Sequence, residues 1–300
     1  SRNNFYLSQL NRADMEMARG RLRQAESLLL PLIETGNGPT DSVLRGLVSQ
    51  NLGEISALRG EIEVADRYLS EADIHYKQAQ ADSYRLRVRV LRLIAHLPKS
   101  IAHGIEEWKD CLRRLCEARL YFHVSRLLCY TVLYFDGQEM EAVRRTVKPA
   151  RKVLPGSAAP VMKAGSVWLN SLETDPNELG VSDRCLKQVY AILDKASHFD
   201  LTGRICELLA ARYRNAGNYP LSRKFFRQAL SIIRPLDNES WRMRLEEQIR
   251  EVDRPDEDRS RLVNSFEAIS GIVRNIGDAS QALDRLIRFA AEVTGAERAV

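Results

Sequence analysis

Six glycines, Gly20, Gly60, Gly104, Gly137, Gly180 and Gly217, fall at intervals of 40, 44, 33, 43 and 37 residues, with apolar residues at helical spacing on both sides of each. A chain punctuated in this way builds helix, turn, helix units. No single unit of that kind can bury its apolar stripe alone, so neighbours must stack, and the recurrence predicts an α-solenoid of about six helical hairpins. The expected fold class is all-α, with right-handed stacking of the hairpins.

The best-formed unit runs from Ser42 to Lys77. Leu52-Gly53 falls where one helix must approach a neighbour closely, Gly60 follows the end of that helix, and Ala65, Leu69 and Ala72 recur at spacings of four and three. This unit resembles the tetratricopeptide repeat, whose pattern has Leu-Gly in its first helix, a turn Gly, then Ala, a bulky residue and Ala in its second. Ser49 and Ser56 stand where that family has large aromatics.

Taken in order, the first hairpin joins about Asn3 to Arg19 with Leu22 to Glu34, and Arg12-Ala13 replaces Leu-Gly. Gly36-Asn37-Gly38-Pro39 then breaks the chain, and Asp41 is placed to cap the next helix. The third hairpin spans about Tyr84 to Ala118 around Pro98, and the fourth Tyr121 to Leu154 around Gly137, with Pro149 expected to end its second helix early. The fifth, Ala158 to Ala196, contains a long turn at Asp175-Pro176-Asn177. In the sixth, Leu209-Ala210, Tyr213, Gly217, Phe226 and Ala229 match the repeat pattern. A charged helix from Trp241 to Val252 suits a terminal cap.

The polar run Asp253 to Asp258 reads as a linker over 253–259, dividing a solenoid at 1–252 from a different regime at 260–300. There Leu262, Phe266, Ile269, Val273 and Ile276 keep the alternating spacing of a heptad. Such a stripe packs either on its own chain or on a second copy, and the second reading predicts a homodimer through residues 260–276. Two helices separated by Gly277-Asp278, followed by Val293-Thr294-Gly295-Ala296-Glu297, resemble the entry to a GAF domain. That resemblance implies that any ligand-holding part lies past Val300. The chain, which starts at Ser1-Arg2, is read as a piece of a longer protein.

With 44% hydrophobic and 28% charged residues the composition is that of an ordinary folded protein. No apolar run approaches the roughly 18 residues a membrane span needs, and no signal peptide is evident, so a cytoplasmic location is expected. Five cysteines, an odd number with no C-x-x-C pair, sit in apolar helical patterns and read as buried thiols. The histidines show no ligand spacing. Gly36-Asn37-Gly38-Pro39-Thr40 lacks the Lys of a phosphate loop, Ser166 is not in a G-x-S-x-G turn, and His103 with Glu106 and Glu107 reads as a helix-start cluster. No catalytic set, cofactor or metal is expected.

Charge says more. Between Tyr84 and Arg126 there are ten Lys or Arg against four Asp or Glu, and Arg85, Arg89 and Arg92 share one helical face with no acidic residue between them in sequence. Arg144, Arg145, Lys148, Arg151 and Lys152 form a second cluster. Such a face suits an acidic protein or peptide, whereas nucleic acid is disfavoured by the lack of interleaved aromatics or a binding signature. Arg85, Arg89, Arg92, Tyr134, Arg204 and Glu207 are the candidate groove residues.

A solenoid followed by a GAF entry resembles the sensory portion of multidomain bacterial signalling proteins and transcription regulators. The resemblance implies a non-enzymatic segment that binds a protein, peptide or small-molecule effector and relays the event. The alternative is the regulatory arm of a kinase or cyclase whose catalytic domain lies elsewhere.

Overall fold

A computed structural model describes residues 2–34, 41–97, 105–134, 137–154, 159–174, 182–195 and 198–253. Among them the fold is all-helical with no strand. The chain divides into two compact units, Ser1–Ile249 and Arg250–Val300, and the main core lies in the first. The heptad residues Leu262, Phe266, Ile269, Val273 and Ile276, the GAF-like segment, Pro98, Gly104, His103, Asp175-Pro176-Asn177 and Gly180 all lie outside the described residues.

The helices are α1 (Arg2–Ala18), α2 (Leu22–Leu29), α3 (Pro31–Glu34), α4 (Ser42–Leu58), α5 (Ile62–Gln78), α6 (Asp82–Ala95), α7 (Glu106–Glu117) and α8 (Tyr121–Tyr134). They continue as α9 (Gly137–Val147), α10 (Pro160–Thr174), α11 (Asp183–Asp194), α12 (Phe199–Asn215), α13 (Tyr219–Ile233) and α14 (Glu239–Asp253). A single helix expected over Leu22 to Glu34 is instead cut at Pro31, which has no N–H to continue the ladder. Pro149 has the effect anticipated for it: α9 stops at Val147 and the backbone tightens into a 3-10 turn, Lys148–Lys152.

Four helix starts carry side-chain caps. Asp41 accepts from the Leu44 N–H at 3.0 Å, Ser182 from Cys185 at 3.3 Å, Asn218 from Leu221 at 3.2 Å and Asn238 from Trp241 at 3.0 Å. Five helix ends close in the same way. Glu61 N–H donates to Ser56 C=O at 2.9 Å, and the same six-to-one bond recurs from Arg21 to Glu16, Ala81 to Tyr76, Leu120 to Leu115 and Asn218 to Tyr213. The residue inside each loop is left-handed: Gly20, Gly60 and Gly217, but also Gln80 (φ 53°) and Arg119 (φ 55°), which carry no glycine signal.

Close pairing within a hairpin rests on residues without side chains. A Cβ on Gly53 would fall 2.8 Å from the Leu69 side chain, and one on Gly46 would overlap the Tyr76 ring, which fixes α4 antiparallel to α5. Gly203 repeats the arrangement against Ile233 at 2.6 Å in the α12/α13 pair. Gly46 and Tyr76 lie 14 residues before and 16 after Gly60, as Gly203 and Ile233 do around Gly217. The two hairpins therefore use one packing scheme at equivalent positions.

The main core runs through α6 to α12 and includes the fully buried Trp108, Leu112 and Leu115 of α7 and Trp168 of α10. Burying each such leucine contributes about 1.5–3 kcal/mol relative to exposure. The five cysteines are buried and free, and burial pushes the thiols of Cys111, Cys129 and Cys206 up to about 12.

The chain returns on itself within this unit. The segment after α13 meets the turns of the first two hairpins: Pro235 sits 2.7 Å from where a Gly20 Cβ would be, Asn238 2.9 Å from where a Gly60 Cβ would be, and Arg23 pairs with Asp237 at 2.7 Å.

Candidate functional site

Four helices of the first unit, α4, α6, α8 and α12, together with α14, wall a cavity of about 510 Å³. This volume lies in the range of small-molecule sites, roughly 300–1,000 Å³. One side is aliphatic, formed by Leu91, Ile94 and Leu97 after α6 begins and by Leu133 and Leu208; the other is polar and aromatic.

The polar side is a connected set. Arg126 of α8 reaches Glu54 of α4 at 2.6 Å, and both are largely covered, at 15% and 18% side-chain exposure. Burial works against the Arg126 charge, but Glu54 outweighs it and holds the guanidinium above its ordinary pKa. Next to it the Tyr130 hydroxyl donates to Asp200 of α12. Burial, then the Asp200 charge, raises that hydroxyl well above its ordinary value, so it stays protonated and remains a donor. One turn further along both helices Arg204 Nη1 donates to the Tyr134 hydroxyl at 2.6 Å. The pairs Tyr130–Asp200 and Tyr134–Arg204 show that α8 and α12 run parallel, side by side.

Arg204 also stacks over Trp241 of α14, its guanidinium carbon 4.7 Å from the ring centroid. The Trp241 indole N–H in turn donates to Glu207 at 2.9 Å, and Glu207 pairs with Arg244 at 3.1 Å. Two polar atoms on this wall, Arg204 Nε and Gln248 Oε1, are buried without a hydrogen-bond partner. Leaving such a group unsatisfied costs about 1–3 kcal/mol.

The six candidate groove residues separate into two places. Tyr134, Arg204 and Glu207 meet in this cavity, while Arg85, Arg89 and Arg92 lie on the opposite face of α6, along a groove of about 960 Å³ bordered by α5 and α7. The expected uncompensated basic face needs correction there. Arg85 bonds Asp73 at 2.9 Å and Asp82 at 3.5 Å, Arg89 bonds Asp110 at 2.7 Å, and Arg92 donates to Ser70 at 2.7 Å. Acids of α5 and α7, with Asp82 at the start of α6 itself, pair with Arg85 and Arg89, while Arg92 meets the Ser70 hydroxyl. Arg144 and Arg145 likewise pair with Glu141.

Sequence reasoning missed Arg126, Tyr130, Asp200 and Trp241. The signal was present as polar and aromatic residues at 126, 130 and 134 and at 200, 204 and 207, helical spacing on two first helices whose other faces are apolar.

Among the described residues no group of three or more His, Cys, Asp or Glu side chains could hold a metal ion, and no helix is long and apolar enough to cross a membrane. Neither the family models nor the curated proteins compared with this chain match it.

Proposed function

We propose that residues 1–249 form a tetratricopeptide-like, right-handed α-solenoid that serves as a non-enzymatic receptor segment of a larger signalling protein, holding a small ligand or short peptide in its inner cavity. The equivalent packing of Gly46 on Tyr76 and Gly203 on Ile233 supports the repeat. The single observation that carries the receptor reading is the cavity itself, in which three arginines and three aromatic rings stand opposite an aliphatic wall. A site of that make-up offers orientation on one side and desolvation on the other. The remainder of the proposal is a relay: occupancy bridges α4, α8, α12 and α14, which belong to hairpins far apart in the chain, and so alters their spacing for domains elsewhere in the parent protein.

The test is a thermal-shift screen of the 300-residue chain against metabolites and short peptides, followed by calorimetry. Binding that disappears when the cavity is filled by Ala211→Trp supports the receptor reading. Absence of binding by every class, or binding that survives the filled cavity, refutes it.

A further inference from the structure

The chemical class of the ligand follows from which groups on the cavity wall are already spoken for. Each carboxylate has a partner inside the protein: Glu54 holds Arg126, Asp200 accepts from Tyr130, and Glu207 takes both Trp241 and Arg244. The wall therefore has little left with which to receive a cation. Of the three arginines, Arg126 and Arg244 are bound to carboxylates. Arg204 is not.

The way Arg204 is held sharpens this. Its Nη1 is engaged by the Tyr134 hydroxyl and its plane lies over Trp241, so orientation is fixed by two aromatic residues that bring no negative charge. The acids one turn to either side are engaged elsewhere, Asp200 by Tyr130 and Glu207 by Trp241 and Arg244. Nε is buried with no partner among the described residues. A guanidinium whose Nη1 is taken presents the edge formed by Nε and Nη2, and two parallel N–H groups on one edge match the two oxygens of a carboxylate. Across the cavity Leu91, Ile94, Leu133 and Leu208 supply an apolar surface for the rest of the molecule.

We infer that the cavity takes an amphipathic organic carboxylate, its head group on the free Nε edge of Arg204 and its hydrocarbon body against the leucine and isoleucine wall. This rests on the cavity being a ligand site and adds the chemistry of what fills it. A small anion with no apolar body leaves the aliphatic wall wet, and an amine or alcohol leaves the Arg204 edge without an acceptor. Phosphate can also meet a guanidinium edge with two oxygens, but it brings about -1.5 to -2 charges to one unpaired guanidinium, since Arg126 and Arg244 are already matched by carboxylates. A peptide with a C-terminal apolar residue carries the same two features in a larger frame and is the competing occupant.

Isothermal calorimetry on the 300-residue chain with octanoate, octan-1-ol, octanamide, octylamine and octyl phosphate tests this: octanamide has the same alkyl body as octanoate, and the alcohol, amine and phosphate have one methylene more, which favours them by about 0.8 kcal/mol and so works against the expected order. Octanoate is expected to bind at one site per chain at least about ten-fold more tightly than the alcohol, amide or amine, a margin of about 1.4 kcal/mol, and more tightly than octyl phosphate. In Arg204→Met that preference falls to less than about three-fold, and Arg204→Lys keeps only part of it, because an ammonium offers a point charge and not an edge. Equal binding of the neutral probes, or octanoate binding unchanged in Arg204→Met, overturns the carboxylate assignment and leaves the receptor reading standing. Tight binding of a leucine-terminated hexapeptide with none of octanoate overturns it in favour of a peptide. Failure of all probes and peptides removes the receptor reading as well. Should Arg204→Met not fold, Ala211→Trp replaces it: the cavity is then filled with Arg204 intact, and octanoate binding that persists overturns the assignment.

Discussion

The Asn238 side-chain amide donates to the Leu58 carbonyl oxygen at 2.9 Å, tying together residues 180 apart in the chain. The same side chain, through its oxygen, caps α14 by accepting from the Trp241 N–H at 3.0 Å. One residue thus starts the helix that carries Trp241 into the cavity and fastens that helix to the end of α4.

Asn238→Ala removes both bonds and is expected to lower unfolding free energy by about 1–2 kcal/mol, the usual worth of a helix cap with an added buried bond. Gly60→Ala costs about 2 kcal/mol, because its φ of +80° is left-handed and the new methyl meets Asn238 at 2.9 Å. The second cause vanishes when Asn238 is already alanine. Urea denaturation of the double variant should therefore show a loss smaller than the sum of the singles.

Gly46→Ala drives a methyl into the Tyr76 ring, whose hydroxyl donates to Gln50 at 3.1 Å and so resists displacement. The expected cost is about 1–3 kcal/mol, as for other overpacked cores. In Gly203→Ala the closest obstacle is one methyl of Ile233 at 2.6 Å, with the Trp241 ring behind it at 3.1 Å, and Ile233→Ala removes the first of the two. Melting temperatures should show partial rescue for Gly203→Ala/Ile233→Ala relative to the sum of the single losses, a result absent if the glycines are mere turn formers.

Glu54→Ala strands Arg126 in a covered site and should cost about 3–5 kcal/mol, as should Arg126→Ala for the converse reason. Glu54→Leu/Arg126→Met removes both charges and is expected to recover most of that. Additive losses in a double-mutant cycle by chemical denaturation would show that the pair is not coupled.

His123 is held down to about 3, first by burial and then by the charges of Arg126 and Arg87. Its folded pKa lies below the ordinary value of 6.5, so between about pH 3 and 6.5 the unfolded chain binds the extra proton. Stability then rises with pH across that window, by up to about 1.4 kcal/mol per unit from this residue. Burial lowers His198 in the same direction, whereas Asp14, raised by burial and by Glu54, acts with opposite sign above its ordinary value of 3.8. The contribution of His123 alone is isolated by His123→Gln, which should flatten the urea-midpoint profile between pH 4 and 6.5. An unchanged slope would place the titration elsewhere.

What could be read from sequence was local. The α4/α5 and α12/α13 hairpins were legible because Leu52-Gly53, Gly60, Leu209-Ala210 and Gly217 mark close approach and turn in the residues themselves. The turns at Gln80 and Arg119 were not, since their left-handed backbone is imposed by the six-to-one bonds of the helix end and no glycine announces it. Arg85, Arg89 and Arg92 looked uncompensated because Asp73 and Asp110, which pair with Arg85 and Arg89, belong to α5 and α7. Of the residues lining the cavity, the sequence reading named Tyr134, Arg204 and Glu207. The rest depended on α8 lying beside α12 and on Trp241 returning to meet them, and no periodicity encodes a contact between hairpins that are not neighbours in the chain.

A row of helix pairs in which each touches only the next can melt piecemeal, fraying from whichever end is weaker. In residues 1–249 the turns at Gly20 and Gly60 are clasped by Pro235, Asp237 and Asn238, so neither end is free to fray first. Contacts that span so much chain form only after the intervening pairs have assembled. Loosening Asn238 from Leu58 would then free both ends of the row together, and with them the wall that carries Trp241.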